Sequence, residues 1–193
     1  MFVLTVDQRG SRRDVDRVAD LLGELRGAEL LRPFERTAGD EVQAVAADPA
    51  VVVDLALDLV RRGHWSVGIG VGPVEQPLPA QTRAGRGPAF EHARRAVDRA
   101  KNAPARVAVE GPDAAAAADA DAALTLTALL VTRRSDAGHE AVELVRRGLT
   151  QAEAATRLGI STQAVSQRLA AAGWQAEPAG RDLARRLLER ADR

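Results

Sequence analysis

The sequence predicts an α+β fold: a ferredoxin-like palm followed by a small all-α helix-turn-helix domain. Three observations predict it. Strand-like and helix-like segments follow one another as β-α-β-β-α-β and then α-β before Gly111-Pro112. Two interleaved β-α-β units of this kind close into an antiparallel sheet with helices on one face. Beyond Gly111-Pro112 every periodic segment is helical, and residues 149–172 carry the pattern of two short helices joined by a tight turn. The expected division is therefore 1–111 for the palm, 112–135 for an Ala-rich connector and 136–193 for the helical domain.

Each element has a local reason. Phe2–Val6 is an apolar run suited to a buried strand, and it ends in Asp7. Asp14–Arg26 places Val15, Val18, Leu22 and Leu25 on one helical stripe. Leu30–Thr37 and Glu41–Ala46 flank Ala38-Gly39-Asp40, a hairpin with its tip at Gly39-Asp40. Asp48-Pro49 is a cap followed by a first-turn proline, and it opens an apolar helix reaching Arg62. Trp65–Val71 is a strand containing Gly68 and Gly70, which with Gly72 admit a ligand or a neighbouring backbone rather than form a dinucleotide fingerprint. A loop rich in Pro, Gly and Gln follows, then a helix from Pro88 to Lys101 and a strand at Arg106–Val109.

The alanine run Ala114–Ala118, continued through Leu130, reads as a connecting helix, and a flexible linker has the same composition. Gly138–Arg147 is a helix with Ala141, Val142 and Val145 inward. A last helix, Arg181–Ala191, carries Leu183, Leu187 and Leu188 and either closes the small domain or forms a dimer contact.

Composition bounds the function classes. With 193 residues, 46% hydrophobic, the chain can bury a true core. It has no cysteine, which excludes disulfides and thiolate metal sites and suits a reducing cytoplasm. No apolar run is expected to reach membrane-spanning length and no secretory leader is recognised, so a cytoplasmic protein without membrane partners is expected. The net charge is zero, but from Leu130 onward eleven arginines face eight acidic residues, leaving 16 basic against 19 acidic residues before it. That asymmetry agrees with nucleic-acid contact at the C-terminal end.

Residues 149–172 give the strongest functional signal. Thr150 caps a helix whose inner face is Ala152, Ala155 and Leu158; Gly159 permits a left-handed turn; Ile160 plugs the corner. Ser161 caps the next helix, which Val165 and Leu169 anchor at a four-residue spacing. Thr162, Gln163, Ser166 and Gln167 are left on one outward face, and Ser161 and Arg168 complete the candidate DNA-binding set. Short polar side chains so placed read base edges in a major groove. The alternative is an ordinary helical hairpin packed in a core. Double-stranded DNA is the expected partner, bound by a homodimer, because paired half-sites supply the affinity and specificity that one short recognition helix lacks.

The first domain offers weaker chemistry. If the first strand runs beside the hairpin, Asp7 and Asp40 face one another about 4.8 Å apart at one sheet edge, a candidate Mg2+ pair. Aspartates are also commonplace at strand ends and in turns. Arg83-Ala84-Gly85-Arg86-Gly87-Pro88 precedes a helix N-terminus, where exposed amides, glycines and arginines suit an anion such as a nucleotide phosphate; the same residues also describe a plain surface loop. His64, His92 and His139 lack metal-ligand spacing, and Trp65 and Trp174 read as core anchors.

Taken in order, these pieces resemble the SatD family. The resemblance rests on Asp7 with Ser11-Arg12-Arg13, Gly39-Asp40-Glu41-Val42-Gln43, Val67-Gly68-Ile69-Gly70-Val71-Gly72, Gly87-Pro88-Ala89-Phe90 with Ala93-Arg94, and Leu149-Thr150-Gln151 through Gln167-Arg168-Leu169. It implies a regulator with a C-terminal DNA-binding module. The first domain is also similar to class III nucleotide cyclases and diguanylate cyclases, with Arg36-Thr37-Ala38-Gly39-Asp40 resembling the cyclase Lys-Thr-Ile-Gly-Asp hairpin. That similarity implies a palm fold, two metal ions at Asp7 and Asp40, and Arg36 where a base-selecting lysine stands. With it, Arg36, Arg83, Arg86, Gly87 and Arg95 form the expected nucleotide-binding set. Gly87–Arg95 departs from the cyclase pattern Gly-Asp-x-x-Asn-x-x-x-Arg: Pro88 replaces the aspartate and Glu91 the asparagine, so only Arg95 remains. A glutamate does not stabilise negative charge on phosphate, which points to nucleotide binding without turnover.

The expected function is thus DNA-binding transcription regulation by a protein with a degenerate cyclase-like sensor or dimerisation domain, more readily a non-enzyme than an enzyme. The alternatives are a Mg2+-dependent nucleotide cyclase or nucleotidyl transferase, and a helix-turn-helix used for protein docking.

Overall fold

A computed structural model describes residues 1–11 and 15–193. Arg12, Arg13 and Asp14 lie outside the described residues, and with them part of the family resemblance and the expected start of the first helix. The chain is α+β, with a five-stranded mixed sheet and eight α-helices among the described residues.

Strand β1 (Phe2–Gln8) is the centre of the sheet, and its alternation divides the protein. It pairs antiparallel with β3 (Glu41–Ala46) on one side and β4 (Trp65–Val71) on the other. The edge strand β2 (Arg32–Arg36) pairs with β3 through the expected hairpin, and β5 (Val107–Glu110) lies parallel to β4. The strand order is β2-β3-β1-β4-β5.

On one face, Phe2, Leu4 and Val6 join the main core with Val42, Ala44, Val67 and Ile69. Val3 and Val45 sit in a separate cluster with Ala89, Phe90 and Ala93 of α3 (Pro88–Ala100). Helices therefore cover both faces, which corrects the expectation of one covered face. The reason is the parallel β4–β5 pair: parallel neighbours need a crossover, and here the crossover helix is α3. Every residue of β4 is consequently buried.

On the first face lie α1 (Val18–Glu24) and α2 (Pro49–Arg61), the latter capped by Asp48, whose carboxylate accepts from the Ala50 amide at 2.8 Å. Val18 and Leu21 are the buried residues of α1, whereas Val15 precedes the helix and is 65% exposed, so the expected stripe is corrected there.

Two helices depart more widely from the sequence reading. α4 (Ala114–Thr132), expected as a connector, is a core helix whose Ala116, Ala120, Leu124 and Ala128 pack in the main cluster. α8 (Glu177–Ala191) returns from the helical segment to the same cluster with Ala184, Leu188 and Ala191, so its buried side serves the main core rather than closing the small unit. Leu183 of the expected stripe is exposed. α4 is also the one helix, among the described residues, long and apolar enough by length and composition to cross a membrane, contrary to the expectation that no such run exists. Its buried alanine face against α8 and β5 is that of a core helix.

Between them, α5 (Asp136–Arg146), α6 (Gln151–Leu158) and α7 (Thr162–Ala171) enclose a second small core of Ala141, Val142, Ala154, Ala155, Val165 and Leu169, with Trp174 packed beside it. Ala152, expected inward, is exposed, and Ala154 takes its place.

Candidate functional site

The α6–turn–α7 unit is assembled by local rules. Thr150 Oγ1 accepts from the Glu153 amide at 3.3 Å, and Glu153 accepts from the Thr150 amide at 2.8 Å, a complete capping box. The Thr150 amide first, and then the Thr150 hydroxyl donating to the same carboxylate at 2.8 Å, hold the Glu153 carboxyl below the usual glutamate range. Gly159 takes the left-handed conformation at φ 66°, and the Ile160 amide closes the turn on the Ala155 carbonyl. Ser161 Oγ then accepts from the Ala164 amide at 3.1 Å, so this hydroxyl is committed to capping α7.

Beyond it, Thr162, Gln163, Ser166 and Gln167 are exposed, and among the described residues their side chains make no hydrogen bond within the chain. Arg168 is half-buried, 3.8 Å from Glu140 of α5. Arg157, at the end of α6, is exposed and has no ion-pair partner among the described residues.

The strand end carrying Asp7 meets the hairpin carrying Asp40, but the cross-strand partner of Asp7 is Glu41 rather than Asp40, and a third residue stands beside it. Asp7 stands opposite Glu41, and the Gln8 amide donates to the Asp40 carbonyl at 3.2 Å, so hairpin tip and strand end share one edge. Lys101, the only lysine in the chain, places its Nζ 3.3 Å from Asp7 and 3.1 Å from Asp98. Burial pushes the Asp7 carboxyl up, Lys101 pulls it down only in part, and the charges of Asp40 and Glu41 raise it further. Burial lowers the Lys101 ammonium, but Asp98 and Asp7 more than restore it, so it stays charged.

An ammonium therefore already sits against the carboxylate a divalent metal would need, and no group of three His, Asp or Glu suited to a metal occurs among the described residues. This donor set fits Mg2+ poorly. Lys101→Met is expected to raise the Asp7 pKa further, since the main influence lowering it is lost; carboxyl NMR titration reads this, and a downward shift would contradict it.

The expected nucleotide set is partly gathered. A cavity of about 400 Å3 lies between β3, the loop before α3 and the first turns of α3, and Arg83, Arg86 and Gly87 line it. Arg36 does not; its Nη2 lies 2.8 and 2.7 Å from the two carboxylate oxygens of Asp16. Arg95 does not line it either, and Arg94 does. One residue is about 100° of helix, which puts Arg95 in the row of Arg99, the partner of Glu110 on β5. Gln43, Glu75 and Glu91 complete the polar lining.

At the helix start itself the amides are used within the chain: the Ala89 amide donates to the Pro73 carbonyl and the Phe90 amide to the Gly87 carbonyl. The glycines serve packing. A Cβ on Gly85 would lie 2.2 Å from the Phe90 ring, and one on Gly87, at φ 122°, 2.9 Å from the Val74 backbone.

A further cluster has no counterpart in the sequence reading. Glu177, at the start of α8, is 1% exposed. Its Oε2 accepts from Arg134 at 2.5 Å, while its Oε1 accepts from both Arg146 of α5 and Arg181 of α8, the latter at 2.6 Å. Arg134 also donates to the Ala172 carbonyl at the end of α7, and Arg181 reaches Asp54 of α2 at 2.5 Å. Arg146 lies 5.9 Å from the centre of the Trp174 ring. One carboxylate thus ties the small helical unit to both helices beneath it. Only the Glu177/Arg181 spacing was visible in the sequence, as one of many i, i+4 pairs.

No family model matches the chain, and no curated protein or solved structure matches it either.

Proposed function

We propose that the chain is a cytoplasmic DNA-binding transcription regulator acting as a homodimer, with α7 as the recognition helix. The observation that carries this reading is the α6–α7 unit: capped at both starts, turned at a left-handed glycine, and presenting Thr162, Gln163, Ser166 and Gln167 with no partners of their own among the described residues. A polar row otherwise unused by the fold, on the second helix of such a pair, suits base edges in a major groove.

The antiparallel order β2-β3-β1-β4 supports a ferredoxin-like, nucleotide-cyclase-like palm of the SatD type, to which α3 and β5 add a parallel strand. Lys101 at Asp7 and the internally used Ala89 amide favour a palm that serves as a scaffold or dimerisation body over one that turns over nucleotides.

Replacing both Gln163 and Gln167 with alanine is expected to abolish sequence-selective binding, at about 1–3 kcal/mol per lost bidentate base contact, while leaving the fold intact. A fluorescence-anisotropy titration against selected duplexes reads this; unchanged selectivity with an unchanged circular dichroism spectrum would overturn the role of α7.

One observation favours protein docking as the second reading. Residues 136–174 hold four arginines and four acidic residues, so the unit has no net charge to attract phosphates. Affinity falling steeply with salt supports DNA, and salt-independent capture of a protein partner supports docking.

A further inference from the structure

We propose that the junction of α2, α5 and α8 is a binding site for a small phosphate-bearing anion, distinct from the cavity beside α3. A cavity of about 370 Å3 opens there, lined by the apolar Leu57 and Val131, the cationic Arg61, Arg146 and Arg181, and the carboxylates Asp54 and Asp58. Its volume falls in the range of small-molecule sites.

The charge balance gives the ligand class. Glu177 is one carboxylate shared by Arg134, Arg146 and Arg181, and it is the only carboxylate partner of Arg146 among the described residues. Asp54, the second partner of Arg181, has a side chain 70% exposed and is screened by water. Asp58 is held by Arg61 at 2.8 Å and also accepts from Arg62 Nε at 2.8 Å. The positive charge on the cavity wall is therefore undercompensated.

His139, in the first turns of α5, registers this field. Burial and then the charges of Arg61, Arg134 and Arg146 hold its imidazole below the usual histidine range. Asp58 is shifted in the same direction by its arginines: burial pushes its carboxyl up, yet Arg61 and Arg62 bring it below the usual range. Guanidinium groups from three helices converging on one cavity match a compact phosphate better than a point cation or an apolar ligand.

Resting on the proposed function, the site also names its regulation. The anion would bridge Arg61 of α2 and Arg146 of α5, so its occupancy biases how the helix-turn-helix unit sits on the sheet-packed helices.

The test is isothermal titration calorimetry of the full chain with inorganic pyrophosphate, without DNA. Single-site binding is expected. Arg61→Gln should weaken it about tenfold, the equivalent of one charge-assisted hydrogen bond. Arg61 is exposed and its partner Asp58 keeps Arg62, so this variant folds. Asp54→Asn should tighten binding by freeing Arg181, and Arg86→Gln should leave it unchanged. Absence of saturable binding overturns the proposal. So does unaltered affinity in Arg61→Gln, or a loss confined to Arg86→Gln, which places the anion beside α3. The DNA-binding reading fails or stands separately, on the glutamine variants.

Discussion

Glu177→Ala is expected to lower stability by about 3–5 kcal/mol, the cost of leaving buried charge without its partner. The side chains of Glu177 and Arg134 are each 1% exposed, so neither can turn to water when the other is removed. Arg134 would keep one acceptor, the Ala172 carbonyl, and lose its carboxylate. Chemical denaturation measures the loss, and a change below about 1 kcal/mol, the size of an exposed ion pair, would show that the cluster is not buried in solution.

The two tryptophans localise the effect. Trp65 belongs to the main core and Trp174 to the small one. With the shared carboxylate gone, the Trp174 signal should melt before the Trp65 signal, each read in a variant retaining only that tryptophan. Arg134→Met combined with Glu177→Leu should recover much of the loss, since a buried ion pair can often be replaced by apolar residues.

The pH dependence has a definite sign. Burial alone would raise the Glu177 carboxyl, but hydrogen bonds and charges from Arg134 and Arg181 hold it below the ordinary glutamate range. A carboxylate whose folded pKa lies below its unfolded value, about 4.3, contributes stability that is fully present above that value. The contribution is lost as pH falls through the lower folded pKa. The wild type should therefore weaken below about pH 4 by more than Glu177→Gln does.

What the sequence could show followed the range of the forces involved. Thr150, Gly159, Ser161 and Asp48 act on their own helix ends, so caps and the turn were legible residue by residue. The hairpin and the meeting of Asp7 with the segment carrying Asp40 were legible because β1 and β3 alternate in register. The seat of α4 was not. Its alanines and leucines run around the whole helix, and an apolar surface without a stripe does not say which neighbour it meets. The sharing of Glu177 by three arginines depends on contacts up to 43 residues apart, and the seat of α8 on one 127 residues apart, which no local pattern encodes. Arg95 against Arg94 was a question of helix phase, and the sequence resemblance pointed to the wrong one for the cavity.

Gly68→Ala and Gly70→Ala are each expected to cost about 3 kcal/mol or more, at or beyond the upper end for overpacked cores. A Cβ at Gly68 would lie 2.1 Å from the Val97 amide nitrogen, and one at Gly70 would lie 2.0 Å from the Ala89 carbonyl oxygen. Both obstacles are backbone, so no side chain can swing away; α3 itself must lift off the sheet. Lifting it would expose Phe90 and Ala93 and withdraw Lys101 from Asp7, so the damage reaches both the second face of the core and the hairpin edge. Gly23, on the exposed side of α1, supplies the opposite sign. Nothing lies within 4 Å of a Cβ there, and alanine should stabilise the helix by about 0.5–1 kcal/mol. Thermal unfolding of the three variants separates two explanations of glycine on β4. If Gly68→Ala and Gly70→Ala melt with the wild type, α3 does not press on the strand, and the glycines are left free for a ligand instead.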